Sequence, residues 1–255
     1  MRTIIVFLCA VTLHASGHGP VFGLATPTNP KGGWSFDSSF MGRAGDGSGT
    51  MLRETLGYGL TENFKISFSA PAVFEAEPFP LARVSAFGPM GGDFEALGIW
   101  RFHRQDTGVG SRFESAAIGG LLVPGPQEPK NLKSGPGAIA GVVSGIASRS
   151  HYAWAGVTYQ RYTDRKPDLL FYSLAYAYRP PSWRTDSGWD WRIFGELTGE
   201  RSGGPNHQVF VGPTTLGVYK NIAVSAGVQF PVYRAIAPVF PRERVRFAVD
   251  FSYFF

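Results

Sequence analysis

The sequence contains no long apolar run past its first segment. The best remaining candidate, Ala138 to Ala147 (AIAGVVSGIA), is about half the length that a membrane-crossing helix requires and is rich in glycine. Charge is also scarce: Asp, Glu, Lys and Arg make up 17% of the chain, against about a quarter in an ordinary soluble domain. The single cysteine, Cys9, sits near the start, so the rest of the chain can build neither a disulfide framework nor a thiolate metal site. The positive excess is small (+5) and spread out, with no block of like charges, which argues against nucleic-acid binding. His103, His151 and His207 are scattered without metal-ligand spacing. What the chain does have is aromatic residues (15%) and glycine (33 copies) at a mean hydropathy of −0.05, close to neutral. That mixture fits a chain that alternates apolar and polar residues.

Residues 1–17 (MRTIIVFLCAVTLHASG) read as a signal peptide, leaving 18–255 as the mature chain. Arg2 supplies the positive start, Ile4 to Leu13 the short apolar core, and Ala15-Ser16-Gly17 the small residues before a cut at His18. Cys9 lies inside the apolar core, which does not suit a lipidated cysteine. An exported chain without a spanning helix is periplasmic, secreted, or a barrel in the outer membrane.

The decisive pattern has period two and recurs along the chain. Trp34, Phe36 and Phe40 alternate with Ser35, Asp37 and Ser39; Leu52, Leu56 and Tyr58 with Arg53, Thr55 and Gly57, Glu54 being the misfit. Phe64, Ile66 and Phe68 alternate with Lys65, Ser67 and Ser69; Trp100 and Phe102 with Arg101 and His103; Phe113, Ala117 and Leu121 with Arg112, Glu114 and Gly120. Tyr152, Trp154 and Gly156 open a strand reaching Tyr162. Leu170 to Tyr178, Trp191 to Leu197, Ile222 to Phe230 and Val245 to Phe255 repeat the theme, and His207 to Tyr219 and Ala138 to Ser148 are weaker members. The pattern predicts an all-β fold: a transmembrane antiparallel barrel of about twelve strands with both termini periplasmic. Lipid cannot hydrogen-bond a backbone, so such a sheet must close on itself. The outward connections would be 42–50, 71–93, 124–137, 163–168, 201–206 and 233–243, mostly long and rich in Gly and Pro; the inward turns would include 60–63, 105–108, 149–150 and 220–221. The 180–188 turn is the medium-length exception, and its Trp183, with Trp189 and Trp191, would sit in an interfacial girdle. A secreted β-sandwich is the alternative, although it does not call for so many outward aromatics. Phe251, Tyr253 and Phe255 share one face of the final strand, as in a signal read by the barrel assembly machinery.

His18 to Pro27 (HGPVFGLATP), Gly32 to Phe36 (GGWSF), Leu56 to Phe64 (LGYGLTENF) and Arg246 to Phe255 (RFAVDFSYFF) together resemble a group of outer-membrane transporters related to a component of the phenol-degradation meta-pathway. The resemblance covers most of the mature chain. It implies a barrel that passes small molecules. Such a barrel would lie among outer-membrane lipid and lipopolysaccharide, and no cofactor is expected. It carries over no catalytic residue.

The charged residues expected to face the lumen are Arg53, Lys65, Arg101, Arg112, Arg161, Arg179, Arg192 and Arg246, with Glu95, Glu114, Asp190, Glu196 and Asp250. They could line a water-filled pore with a mild anion preference, or pair across a narrow lumen and fill it. The preferred function is passive passage of small solutes, aromatic or hydrophobic ones included. A non-transporting barrel and a lipid-modifying enzyme are the alternatives. For the last, Ser202 and His207 share one loop, but neither a His-x-Ser-Asn-Gly nor a Gly-x-Ser-x-Gly motif occurs, so the expectation is a non-enzyme. His18 beside a free amine could chelate a metal, though an untethered tail or a lumen plug explains it better. The 71–93 segment, with four prolines, is expected to fold inward or cap the mouth.

Overall fold

A computed structural model describes residues 19–45, 49–74, 92–125, 135–163, 167–180, 188–203, 206–236 and 242–255. The strands are β1 (Trp34–Gly45), β2 (Gly49–Thr61), β3 (Phe64–Phe74), β4 (Phe94–Gly108), β5 (Ser111–Val123), β6 (Gly137–Ala147), β7 (His151–Tyr162), β8 (Leu169–Tyr178), β9 (Asp190–Ser202), β10 (His207–Tyr219), β11 (Ile222–Ala235) and β12 (Glu243–Phe254). Each pairs antiparallel with its sequence neighbours, and β12 pairs with β1, so the twelve strands form a closed barrel. At the closing seam Phe36 lies opposite Tyr253 and Ser38 opposite Phe251. Trp34 and Phe255 exchange both backbone hydrogen bonds, at 2.8 and 3.1 Å. Closure removes the unpaired edge that an open sheet of this size would present.

The start of β1, the end of β12 and the tight turns 62–63, 109–110, 148–150 and 220–221 share one end of the barrel, the turn end. Lys220 carries the left-handed φ of 52° that a two-residue hairpin turn requires. The β8–β9 connection also joins strand ends at the turn end, and the remaining six connections join strand ends at the opposite, loop end. The 75–91 part of the anticipated cap and most of the 180–188 turn, Trp183 included, lie outside the described residues.

Alternation sets the faces as expected on most strands. Phe36, Leu56, Phe68, Leu121, Ile193, Phe230, Val249 and Phe251 point outward. At the turn end the outward aromatics cluster: Trp189 stacks on Trp191 and on Tyr219 with ring centroids 5.7 Å apart in each case, and Trp34 sits 4.6 Å from Tyr58. Among the described residues no helix is long and apolar enough to cross a membrane. The outward belt gives a strand-built wall the surface it needs in lipid.

Two strands depart from expectation. In β4 the register slips between Arg101 and His103, so His103 follows Phe102 onto the outward face and packs on outward Phe113 at 5.8 Å. The bulge moves every later residue to the other face, and so Arg104 joins Arg101 inside. In β7 the aromatic side faces inward: Tyr152, Trp154 and Tyr162 are buried, and Arg161 is exposed on the outward face. Arg161 therefore does not line the lumen. The physical reason is that this lumen is a packed interior, so an aromatic face does not mark the lipid side.

Candidate functional site

The lumen is occupied by the chain itself. Residues 19–33 enter from the turn end, run to mid-barrel and fold back as a hook, so that Gly19 lies against Ala25. A Cβ on Gly19 would stand 2.1 Å from that of Ala25, so the two limbs approach this closely only because one residue is glycine. At the tip, three consecutive backbone N–H groups converge on one carboxylate. Val21 donates to Glu196 Oε1 at 2.7 Å, and Phe22 and Gly23 donate to Oε2 at 2.8 and 3.1 Å. Successive amides arranged this way form an anion-binding nest. Thr214 donates its hydroxyl to Oε1 as well, so Glu196, 1% exposed on β9, has all its acceptor sites in use.

The descending limb is anchored all the way down. Leu24 N–H donates to Ser173 Oγ at 3.0 Å, Thr26 Oγ1 donates to Glu114 at 3.2 Å, and Thr28 Oγ1 donates to the Glu62 carbonyl at 2.9 Å. Asn29 Nδ2 reaches Ser35 Oγ at 3.1 Å, and Gly32 and Gly33 pair with Gly59 like a short extra strand. Apolar packing completes the fit. Val21 and Phe22 sit with Met41, Met51 and Ala248, and Leu24 lies in a cluster with Ile139, Val143 and Phe171. A third group, Tyr152, Trp154, Phe194 and Leu216, fills the turn-end half.

Toward the loop end, ion pairs take over. Arg246 is held by Glu200 and Glu243, with its guanidinium 3.7 Å from the Phe210 ring centre, and Glu243 also takes Arg43 at 3.2 Å. Arg53 pairs with Glu95 at 2.8 Å. At the turn end, Glu114 is shared by Arg101 at 3.2 Å and Arg112 at 3.1 Å, with Arg104 at 3.9 Å. Asp190 is shared by Arg179 at 2.6 Å and Arg192 at 3.2 Å. Lys65 faces inward with its chain against Gly57, and Asp250 accepts from Ser225 at 2.7 Å. Phe251, Tyr253 and Phe255 lie on the outward face, with Phe255 stacked on Trp34.

Of the residues anticipated to face the lumen, all but Arg161 do so; most are ion-paired toward one end of the lumen or the other, Glu196 holds the hook, and Lys65 and Asp250 stand outside those pairs. The sequence reading missed the hook's own residues, together with Arg43, Arg104, Glu200 and Glu243. Extending the β9 alternation by two residues past Thr198 would have placed Glu200 inward; Arg104 gave no such signal because of the bulge. His207 bonds Tyr172 Oη through Nε2 at 2.8 Å on the outward face, whereas Ser202 follows the inward alternation of Thr198 and Glu200. The two are thus not assembled as nucleophile and base. His18 lies outside the described residues, among which no group of three His, Cys, Asp or Glu could hold a metal.

A second feature lies in the wall. Among the described residues, the β3–β4 ladder runs only from Phe64↔Trp100 to Ser69↔Glu95, while β3 stays paired to β2 as far as Phe74. Where the ladder stops, an outward groove of about 480 Å³ opens, lined by Phe36, Leu56, Phe68, Phe94 and Leu121. Thr55, Ser69 and Glu95, which alternate inward, also border it.

No family model matches the chain, and no curated protein sequence matches it. Among solved structures it is similar to LpxR from Salmonella typhimurium, with a TM-score of 0.50 at 10% identity over 87% of this chain and 100% of that one. It is also similar to the β-domain of the Bordetella autotransporter BrkA, with a TM-score of 0.46 at 12% identity over 87% and 98%. The first likeness agrees with the twelve-stranded antiparallel barrel, the fold of transmembrane β-barrels.

Proposed function

We propose that the protein is an outer-membrane barrel that admits small apolar or aromatic solutes through its wall at the β3–β4 seam, with the axial path shut by its N-terminal hook. The observation that carries this reading is the groove at the end of the β3–β4 ladder. It is largely apolar where it faces lipid, with Glu54 the one acid there, accepting from Ser38 at 2.9 Å, and it is bordered by residues of the lumen face. A solute with aromatic or hydrophobic character partitions into such a groove by burying apolar surface. The Arg53–Glu95 pair stands behind it, so the polar side of the port is closed at rest. The resemblance to transporters related to phenol degradation supports the same solute class. Insertion by the assembly machinery would use Phe251, Tyr253 and Phe255.

The test is entry of a fluorescent apolar probe, N-phenylnaphthylamine, into intact cells that carry the protein in their outer membrane. Ala96→Trp fills the groove, and Ala153→Trp places the same ring on the outward face of β7. The reading expects Ala96→Trp to slow probe entry several-fold and Ala153→Trp to leave it unchanged. Equal entry through wild type and Ala96→Trp, at matched levels of folded protein, sinks it. The packed lumen also favours a second reading, a barrel that transports nothing; that reading expects no protein-dependent entry in any variant.

A further inference from the structure

We infer that the turn-end mouth of the lumen is a binding site for a soluble oxyanion, a phosphate- or carboxylate-bearing small molecule, centred on Arg192. A cavity of about 470 Å³ opens there, lined by Arg104, Arg112, Arg192, Tyr152 and Ser148, with Asp106 the one acid on its wall. That volume falls in the range of small-molecule sites.

Arg192 is the telling residue. Its side chain is 8% exposed and its guanidinium lies 4.6 Å from the centre of the Tyr152 ring, which fixes the plane of the fork. Among the described residues only Nη2 is engaged, by Asp190, and Nε and Nη1 are buried without a hydrogen-bond partner. A buried charged donor left unpaired is costly, and such groups in native proteins call for a partner. Each of these two N–H groups can donate a charge-assisted hydrogen bond to an oxygen of a carboxylate or phosphate.

Charge points the same way. Around this mouth the guanidiniums of Arg101, Arg104, Arg112, Arg179 and Arg192 face the carboxylates of Glu62, Asp106, Glu114 and Asp190 among the described residues. Two of those four acids are already shared between arginines, and Arg149 at the rim, packed on Gly110, adds to the positive excess. Ser111 and Ser148 add neutral hydrogen-bonding groups to the wall. A concave site lined by one sign of charge gathers the opposite ion. The site rests on the barrel reading but not on passage through the β3–β4 seam, so failure of the probe-entry test leaves it standing.

The experiment is calorimetric titration of inorganic phosphate into the purified, folded chain at low salt, in detergent and then in phosphatidylcholine nanodiscs. The expected result is saturable binding at one site, weakened about tenfold by Arg192→Gln through loss of a charge-assisted pair and unchanged by Arg161→Gln, which removes an arginine of the outward face. Folding of each variant is read from the heat-dependent shift in gel mobility. If Arg192→Gln does not fold, Arg104→Gln takes its place, since that side chain is half exposed, and a several-fold weakening is expected. No saturable phosphate binding, equal binding by the arginine variants and wild type, or an equal loss in Arg161→Gln overturns the proposal. Nanodiscs containing phosphatidylglycerol separate the sources of the anion: unchanged phosphate affinity supports a soluble ligand, and competition by the lipid overturns that assignment in favour of a headgroup.

Discussion

Replacing Glu196 by Gln should release the hook and leave the barrel standing. The carboxylate accepts Val21 N–H and the Thr214 hydroxyl on one oxygen, and Phe22 and Gly23 N–H on the other. An amide keeps one acceptor oxygen and turns an NH2 group toward the remaining donors, so two charge-assisted bonds are lost and donors face donors. At about 1.5–3 kcal/mol for each such bond, the loss is about 3–6 kcal/mol. Against it stands burial of Val21, Phe22 and Leu24, worth about 1.5–3 kcal/mol each, itself opposed by about 1–2 kcal/mol of backbone ordering per residue of the hook. The net docking free energy is therefore smaller than the sum of its contacts, and a loss of this size is enough to empty the lumen. None of the wall's ladder bonds involves the Glu196 side chain, so the strands should persist. Limited chymotrypsin digestion of the folded protein, read by mass spectrometry, should show new cleavage after Phe22 and Leu24 in Glu196→Gln with gel mobility still that of a folded barrel. A variant as protected as wild type at both sites would refute the latch.

Arg246→Met strands Glu200 in the lumen without a cation and leaves Glu243 with Arg43 alone, so the urea midpoint of the folded barrel should fall by the equivalent of about 3–5 kcal/mol; an unchanged midpoint would show the cluster to be solvated. Gly59→Val should loosen the hook's lower limb, because even its Cβ would meet the Pro30 carbonyl at 2.1 Å; hydrogen exchange should rise over 25–33 and stay unchanged over β8 and β9. Phe255→Ala removes the ring stacked on Trp34, and the expected effect is a lower yield of folded barrel in an assembly-machinery reconstitution; normal yield would remove Phe255 from the signal.

The barrel was legible because its wall obeys one rule. Strands such as β3 and β12 place an apolar residue outward at every second position, and the tight turns 62–63 and 220–221 fall where the alternation breaks. The same rule misled in β7. There Tyr152 and Trp154 look like lipid-facing residues, but they pack inside around Thr26 and Phe194. Period two identifies two faces and does not say which faces lipid once the lumen is a packed interior. In β4 one bulged residue moved Arg104 inside, and no residue type in FHRQ announces a bulge. The hook was unreadable for a different reason: Val21 to Asn29 carries neither helical nor strand periodicity, and its conformation is dictated by acceptors such as Glu196 and Ser173, far along the chain. Hence the charged lumen residues were mostly found one by one, while the segment that ties them together was not.

The central claim is that the chain's own N-terminal hook closes the lumen. It is tested most directly by conductance across a planar lipid bilayer, comparing the folded protein with a variant lacking residues 19–28. The account predicts silence from the intact protein and discrete conductance steps from the shortened one. Steps of equal size from both, or silence from a shortened barrel shown to be folded, would contradict it.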